Sequence, residues 1–162
     1  MAWDKVDTNT LTIADDIILL TGFTPVKFNQ MLMQCFPNGA AIEPRFTLSN
    51  GTGTGHASRM SRDGLADTTA VSREDWVTSI SNVGDTNFNV GYMCNIGGKE
   101  KLSYVFAVVN NGAGAGTAPR RREIASKYVA GVNPQITDIE NYDPNPAYLK
   151  GIGSNFTLLG TD

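Results

Sequence analysis

The 162-residue sequence holds one histidine, two cysteines and little charge. Each shortage removes a class of function. Asp, Glu, Lys and Arg make up 18% of the chain, against a typical share of roughly 25%. The polar surface must therefore come mainly from Asn, Thr, Ser and Gly. Sixteen acidic residues against thirteen basic ones give a net charge of −3. A broad nucleic-acid surface needs clustered Lys and Arg to neutralise phosphates, so no nucleic-acid partner is expected. No run of about eighteen apolar residues exists, so no membrane-spanning helix is expected either. The opening MAWDKVDTNT lacks the apolar stretch of a secretory leader, which implies synthesis in a cytoplasm.

The cysteines, Cys35 and Cys94, form no C-x-x-C pair, and the lone His56 cannot complete a zinc site with them at a known spacing. Both lie in apolar, strand-like runs and read as buried free thiols. Catalysis would fall to His56 as general base, with Ser58 or a distant serine as nucleophile. No G-x-S-x-G elbow accompanies them. The carboxylate pairs Asp15-Asp16 and Glu74-Asp75 are sequence neighbours, so on a strand they point to opposite faces. No D-x-D-x-D calcium loop is present. The expectation is no catalytic residue, no metal and no cofactor, with His56 solvated beside a loop.

What the chain has is alternation of period two. In IEPRFTLSN, Ile42, Pro44, Phe46 and Leu48 share one face; FNVGYMCNI does the same with Phe88, Val90, Tyr92, Cys94 and Ile96. KLSYVFAVVN aligns Leu102, Tyr104, Phe106 and Val108, but Val105, Ala107 and Val109 make its second face apolar too. VKFNQMLMQCF is similarly two-sided around Met31, Leu32 and Met33. A strand apolar on both faces is covered on both sides, by a second sheet and by either a loop or another subunit, which favours an oligomer. Further strands are expected in TLTIADDIILL, HASRMS, WVTSI, REIASKYVA, QITDI and NFTLLG, with turn signals such as Asn50-Gly51, Asp63-Gly64 and Asn111-Gly112 between them. One short helix could start in SREDWVTSI, with Ser72 as N-cap and Asp75 at the capping-box position.

The whole reads as a single all-β domain over residues 1–162, an antiparallel, jelly-roll-like sandwich with long glycine-rich loops, in which 1–9 could form an extended arm. Its core should include Phe46, Tyr92, Phe106 and Leu158.

The stretch SNGTGTGH lacks the lysine and following helix of a phosphate loop, and its third glycine comes too early for a dinucleotide fingerprint. It reads as a hairpin loop between the RFTLS and HASRMS strands. NNGAGAGTAP is a second loop of the same kind, followed by the one basic cluster, Arg120-Arg121-Arg122. Those arginines suit bidentate contacts to acids across a protein interface better than nucleic acid.

The order of features resembles that of small tailed-phage and metagenomic viral proteins over nearly the whole chain. The matching segments are WDKVDTNTLTIADDI, KFNQMLMQCFPNG, RFTLSNGTGTGHASRMSRDGLAD, GYMCNIGGKEKL, the AGAG-APRRRE--SK pattern and the closing GIGSNFTLLGTD. The resemblance implies a β-sandwich virion component without catalytic residues. It would be either a capsid decoration (cement) protein bound to the major capsid protein or another virion protein, or a receptor- or glycan-binding tail-fibre tip. No stalk-like sequence precedes the domain, which favours decoration. A homo-oligomer, with a trimer preferred, follows from the two-sided strands. Candidate interface residues are Trp3 as an anchor, Met31 and Met33 on their two-sided strand, and Arg120, Arg121 and Arg122 as rim contacts. Trp3 could equally close one end of its own sandwich.

Overall fold

The alternation folds into strands along the length of the chain. The computed structural model describes residues 2–48, 54–78, 82–112, 114–129 and 134–162, and no helix occurs among them. In chain order the strands are β1 (Asp4–Thr10), β2 (Ile17–Leu20), β3 (Phe28–Cys35), β4 (Pro37–Asn38), β5 (Arg45–Leu48), β6 (His56–Arg62) and β7 (Thr68–Arg73). There follow β8 (Trp76–Val77), β9 (Asn87–Cys94), β10 (Lys101–Val109), β11 (Arg120–Tyr128), β12 (Ile139–Tyr142), β13 (Leu149–Lys150) and β14 (Asn155–Thr161).

Eight of them form one antiparallel sheet in the order β1-β14-β3-β9-β10-β11-β6-β7; a second sheet, β2-β12-β5-β8, lies over one of its faces. The pair β13-β4 makes a short ribbon, joined to the loop before β2 by a bridge between Asp15 and Lys150. The core between the sheets draws Ile18, Leu20, Phe46, Leu48, Trp76 and Ile139 from the small sheet. From the large one it takes Met31, Met33, Val105, Ile124, Phe156 and Leu158. Phe46 sits at its centre, with ring centroids 5.9 Å from Trp76 and 5.2 Å from Phe156.

Several expectations are corrected by the way strands choose their sheets. Residues 4–10 are not a free arm: they pair with β14 as an edge strand, with a bulge between Lys5 and Asp7. TLTIADDIILL is broken, because residues 11–16 carry the chain from β1 in the large sheet to β2 in the small one. RFTLS and HASRMS are not partners across a hairpin. β5 pairs with β12 and β8, whereas β6 pairs with β11 and β7, so the glycine stretch crosses between sheets. Residues 49–53 of that stretch, and 79–80 of the WVTSI strand, lie outside the described residues. No helix starts at Ser72, which lies in β7; Asp75 is buried and bound by Arg45, and Trp76 pairs with Phe46. In QITDI only Ile139 belongs to a strand, because the Ile136 backbone bonds to the Asn95 side chain instead of a ladder.

One local prediction is realised closely. Asp63 and Gly64 both have positive φ (51° and 76°), and Leu65 N–H donates to the Arg62 carbonyl at 2.8 Å. That is the two-residue turn whose twist matches right-handed strands.

Candidate interaction face

Among the described residues, none forms a second layer over the far side of the large sheet. On four adjacent strands the registers align the outward side chains into a grid. One row is Phe28, Cys94, Leu102 and Lys127, and the next is Gln30, Tyr92, Tyr104 and Ala125. The third is Leu32, Val90, Phe106 and Glu123, and the last is Gln34, Phe88, Val108 and Arg121. The two central columns, β9 and β10, are apolar throughout except for tyrosine hydroxyls. The flanking columns are amide-bearing on β3 and charged on β11.

Eight large side chains here (Trp3, Phe28, Phe88, Tyr92, Leu102, Tyr104, Phe106 and Val108) are 37 to 57% exposed. With full areas of 150–250 Å² for aromatics, they leave roughly 700 Å² of apolar surface in water. That exceeds the largest patch on a typical monomer and approaches one side of a standard protein interface.

Trp3 lies against this face, its ring edge-on to Tyr92 at 6.5 Å. Beside it runs an open groove of about 710 Å³ lined by Trp3, Phe28, Tyr92, Leu102, Tyr104 and Ala125. The polar tips are held in place: Gln30 Nε2 donates to Tyr92 Oη at 3.2 Å and Tyr104 Oη donates to Glu123 at 3.3 Å. Tyr104 and Phe106 meet edge to face at 4.6 Å. The surface is ordered by its own contacts before any partner arrives.

This arrangement reverses part of the expected core. Tyr92 and Phe106 are 45% and 43% exposed, whereas Phe46 and Leu158 are buried. Alternation had grouped Phe88, Val90 and Tyr92 correctly, but on the outer side. The inner side of β9 carries Asn87, Asn89, Gly91 and Met93. Gly91 makes room there: a Cβ would lie 2.7 Å from Met31 Cε and 3.1 Å from Val105 Cγ2, so the methionine end would have to move. Asn89 Nδ2 donates to Asn87 Oδ1 at 3.0 Å, so the buried amides partly satisfy one another.

The candidate interface residues separate. Trp3 and Arg121 lie on the outer face, Arg121 ion-paired with Glu123 at 3.6 Å. Met31 and Met33 are 1% and 0% exposed and fill the core, so neither can serve as a surface contact. Arg120 and Arg122 alternate away from Arg121 and turn to the inner side at one end of the sandwich; Arg120 pairs with Asp85 at 3.4 Å. Nothing in the sequence marks Phe28, Phe88 or Leu102 as contacts. Its one usable signal was the two-sided apolarity of KLSYVFAVV.

The catalytic candidates disperse as well. His56 is not solvated: it is 1% exposed, with its ring 4.8 Å from Trp76 and 4.5 Å from Tyr128. Burial pushes its pKa down to about 4, against a smaller opposing pull from Asp75, and neither ring nitrogen has a hydrogen-bond partner among the described residues. A neutral, enclosed imidazole has no reach to a substrate. Of the carboxylate pairs, Glu74 is exposed while Asp75 is held by Arg45 (3.1 Å) and by the Tyr142 hydroxyl. Cys35 faces the core and Cys94 the outer side of the same sheet, both as free thiols, and burial pushes Cys35 up to about 12. No group of three or more His, Cys, Asp or Glu side chains suited to a metal exists among the described residues. No protein family, curated protein or solved structure matches this chain.

Proposed function

We propose that the chain is a structural component of a virus particle rather than an enzyme, and that it decorates an assembled shell. The particle assignment rests on the sequence resemblance. The contact role rests on one observation, the apolar outer face of β9 and β10 bordered by Arg121, Glu123 and Lys127. An apolar centre with a charged rim is the anatomy of a protein interface. In this reading copies associate through that face into a closed homo-oligomer, a trimer, which docks on the major capsid protein. Bound copies favour the assembled shell over its loose subunits by mass action.

The test uses purified protein and a Phe106→Glu variant, which puts a charge at the centre of the patch. Sedimentation should give a trimer for the native chain and a monomer for the variant. Added to bare shells, the native protein should bind in stoichiometric amounts and the variant should not. A native chain that stays monomeric at tens of micromolar and ignores shells overturns the reading. Binding to host-cell glycans through the Trp3–Tyr92–Tyr104 groove, without shell binding, would make the protein a receptor-binding appendage instead.

A further inference from the structure

The end of the sandwich that holds Val109 concentrates positive charge. Arg62 and Arg122 are direct cross-strand partners, and Arg120 lies two residues along the same face. Together with Arg121 and Val109 they line a notch of about 10 Å³. Like charges directly opposite one another on a sheet repel. Three of the four guanidinium groups are offset: Arg62 by Asp63 at 3.5 Å, Arg120 by Asp85 at 3.4 Å and Arg121 by Glu123 at 3.6 Å. Arg122 forms no salt bridge among the described residues. Yet it is the most buried of the four, 6% exposed, with its Nη1 atom enclosed and unbonded. Glu43, the remaining carboxylate that acts on it, is committed to Arg45 at 2.8 Å.

A buried cation without a partner is costly, and removing the charge altogether is often stabilising. Burial, reinforced by repulsion from Arg62 and Arg120, pulls the Arg122 pKa down to about 10. The notch has room for one oxygen-sized atom. Its mouth is flanked by Arg62, whose side chain is 45% exposed and able to reach outward. We infer that this arginine end is an oxyanion site, in which one oxygen enters the notch against Arg122 Nη1 while its cross-strand partner Arg62 holds a second oxygen at the mouth. The ligand is an oxyanion, either a free tetrahedral ion or the carboxylate of a neighbouring protein; both offer a pair of charged oxygens to guanidinium groups.

The experiment is thermal unfolding of the isolated chain, so its outcome is independent of shell binding. Inorganic phosphate and, separately, acetate are titrated against sodium chloride at matched ionic strength. Native protein should show a saturable rise in Tm, about 3–5 °C at ten times the half-saturating concentration. Arg62→Gln, at an exposed position, should keep the chloride Tm and lose most of the rise. Arg122→Met should lose the rise entirely and melt higher than native protein in chloride. A response to phosphate alone identifies a free tetrahedral oxyanion, and an equal response to acetate a carboxylate. Equal melting in all three salts overturns the site and leaves Arg122 as a hydrated cation. An unchanged response in both variants overturns it too.

Discussion

Strands β3 and β9 lie side by side in the same sheet and use alternation in opposite senses. β3 sends Asn29, Met31, Met33 and Cys35 inward and Phe28, Gln30, Leu32 and Gln34 outward, a mostly apolar inner side and a mixed outer one, as a half-covered sheet requires. β9 sends Asn87, Asn89 and Gly91 inward and Phe88, Val90 and Tyr92 outward. The difference shows that hydrophobicity does not choose the buried face strand by strand. Register does: Gly91 stands opposite Met31, and the space above it is filled by the methionine and by Val105. A large residue at 91 would displace both. The cost of leaving aromatics in water on β9 is accepted by the isolated chain, and an assembly partner would recover it.

The contrast is broken or sharpened first by a pair of truncations. Phe46→Ala, at the centre of the core, should cost about 3–5 kcal/mol in urea unfolding. Phe106→Ala, on the outer face, should cost under about 1 kcal/mol when measured on the dilute chain. Equal costs would mean that the outer face is packed like the inner one and that no free surface exists.

The next effect comes from His56, an inner-face residue that burial keeps neutral. The unfolded imidazole binds a proton near pH 6.5 and the folded one only near 4. Between those values the unfolded state holds more protons, so stability falls as the pH drops through the window, by about 3 kcal/mol in all. His56→Phe should flatten that part of the Tm–pH curve, leaving only the carboxylate losses at lower pH. An unchanged curve would mean that the imidazole is hydrated in the native state.

Asn95 continues the inner row of β9 and offers a smaller effect. Its side chain donates to the Ile136 carbonyl at 3.1 Å and accepts from the Ile136 N–H at 2.7 Å, so it replaces a strand partner for that segment. Asn95→Ala should cost about 2–3 kcal/mol and speed amide exchange at Ile136. The smallest effect is expected at the rim. Arg121→Gln should change stability by less than about 0.5 kcal/mol, since the side chain is mostly in water and its pairing with Glu123 is loose.

Much of the fold was legible in residues. The alternation of KLSYVFAVV and REIASKY became two nine-residue strands in full register, and Asp63-Gly64 became the turn that its chemistry requires. The two-sided character of β10 was also legible, and it was the one clue to the outer face. The interface candidates were less so. In the sequence the strand of Met31 and Met33 looks apolar on both sides, but in the fold both methionines face inward and belong to the core. Arg120, Arg121 and Arg122 form one cluster in the sequence, but consecutive strand residues point to opposite faces, so Arg121 alone of the three reaches the outer side.

By itself, then, the sequence determined the all-β class, the positions of most strands and which side chains on a strand stand together. These are local consequences of a two-residue repeat and of glycine-bearing turns, and they need no knowledge of distant residues. Only the tertiary structure decided which of the two faces is covered, which sheet each strand joins, and that β5 and β6 part company across a glycine-rich crossing. Those choices depend on volumes and registers contributed from far along the chain. Gly91 beneath Met31, Asn95 against Ile136 and Trp3 against Tyr92 are the contacts that carry them.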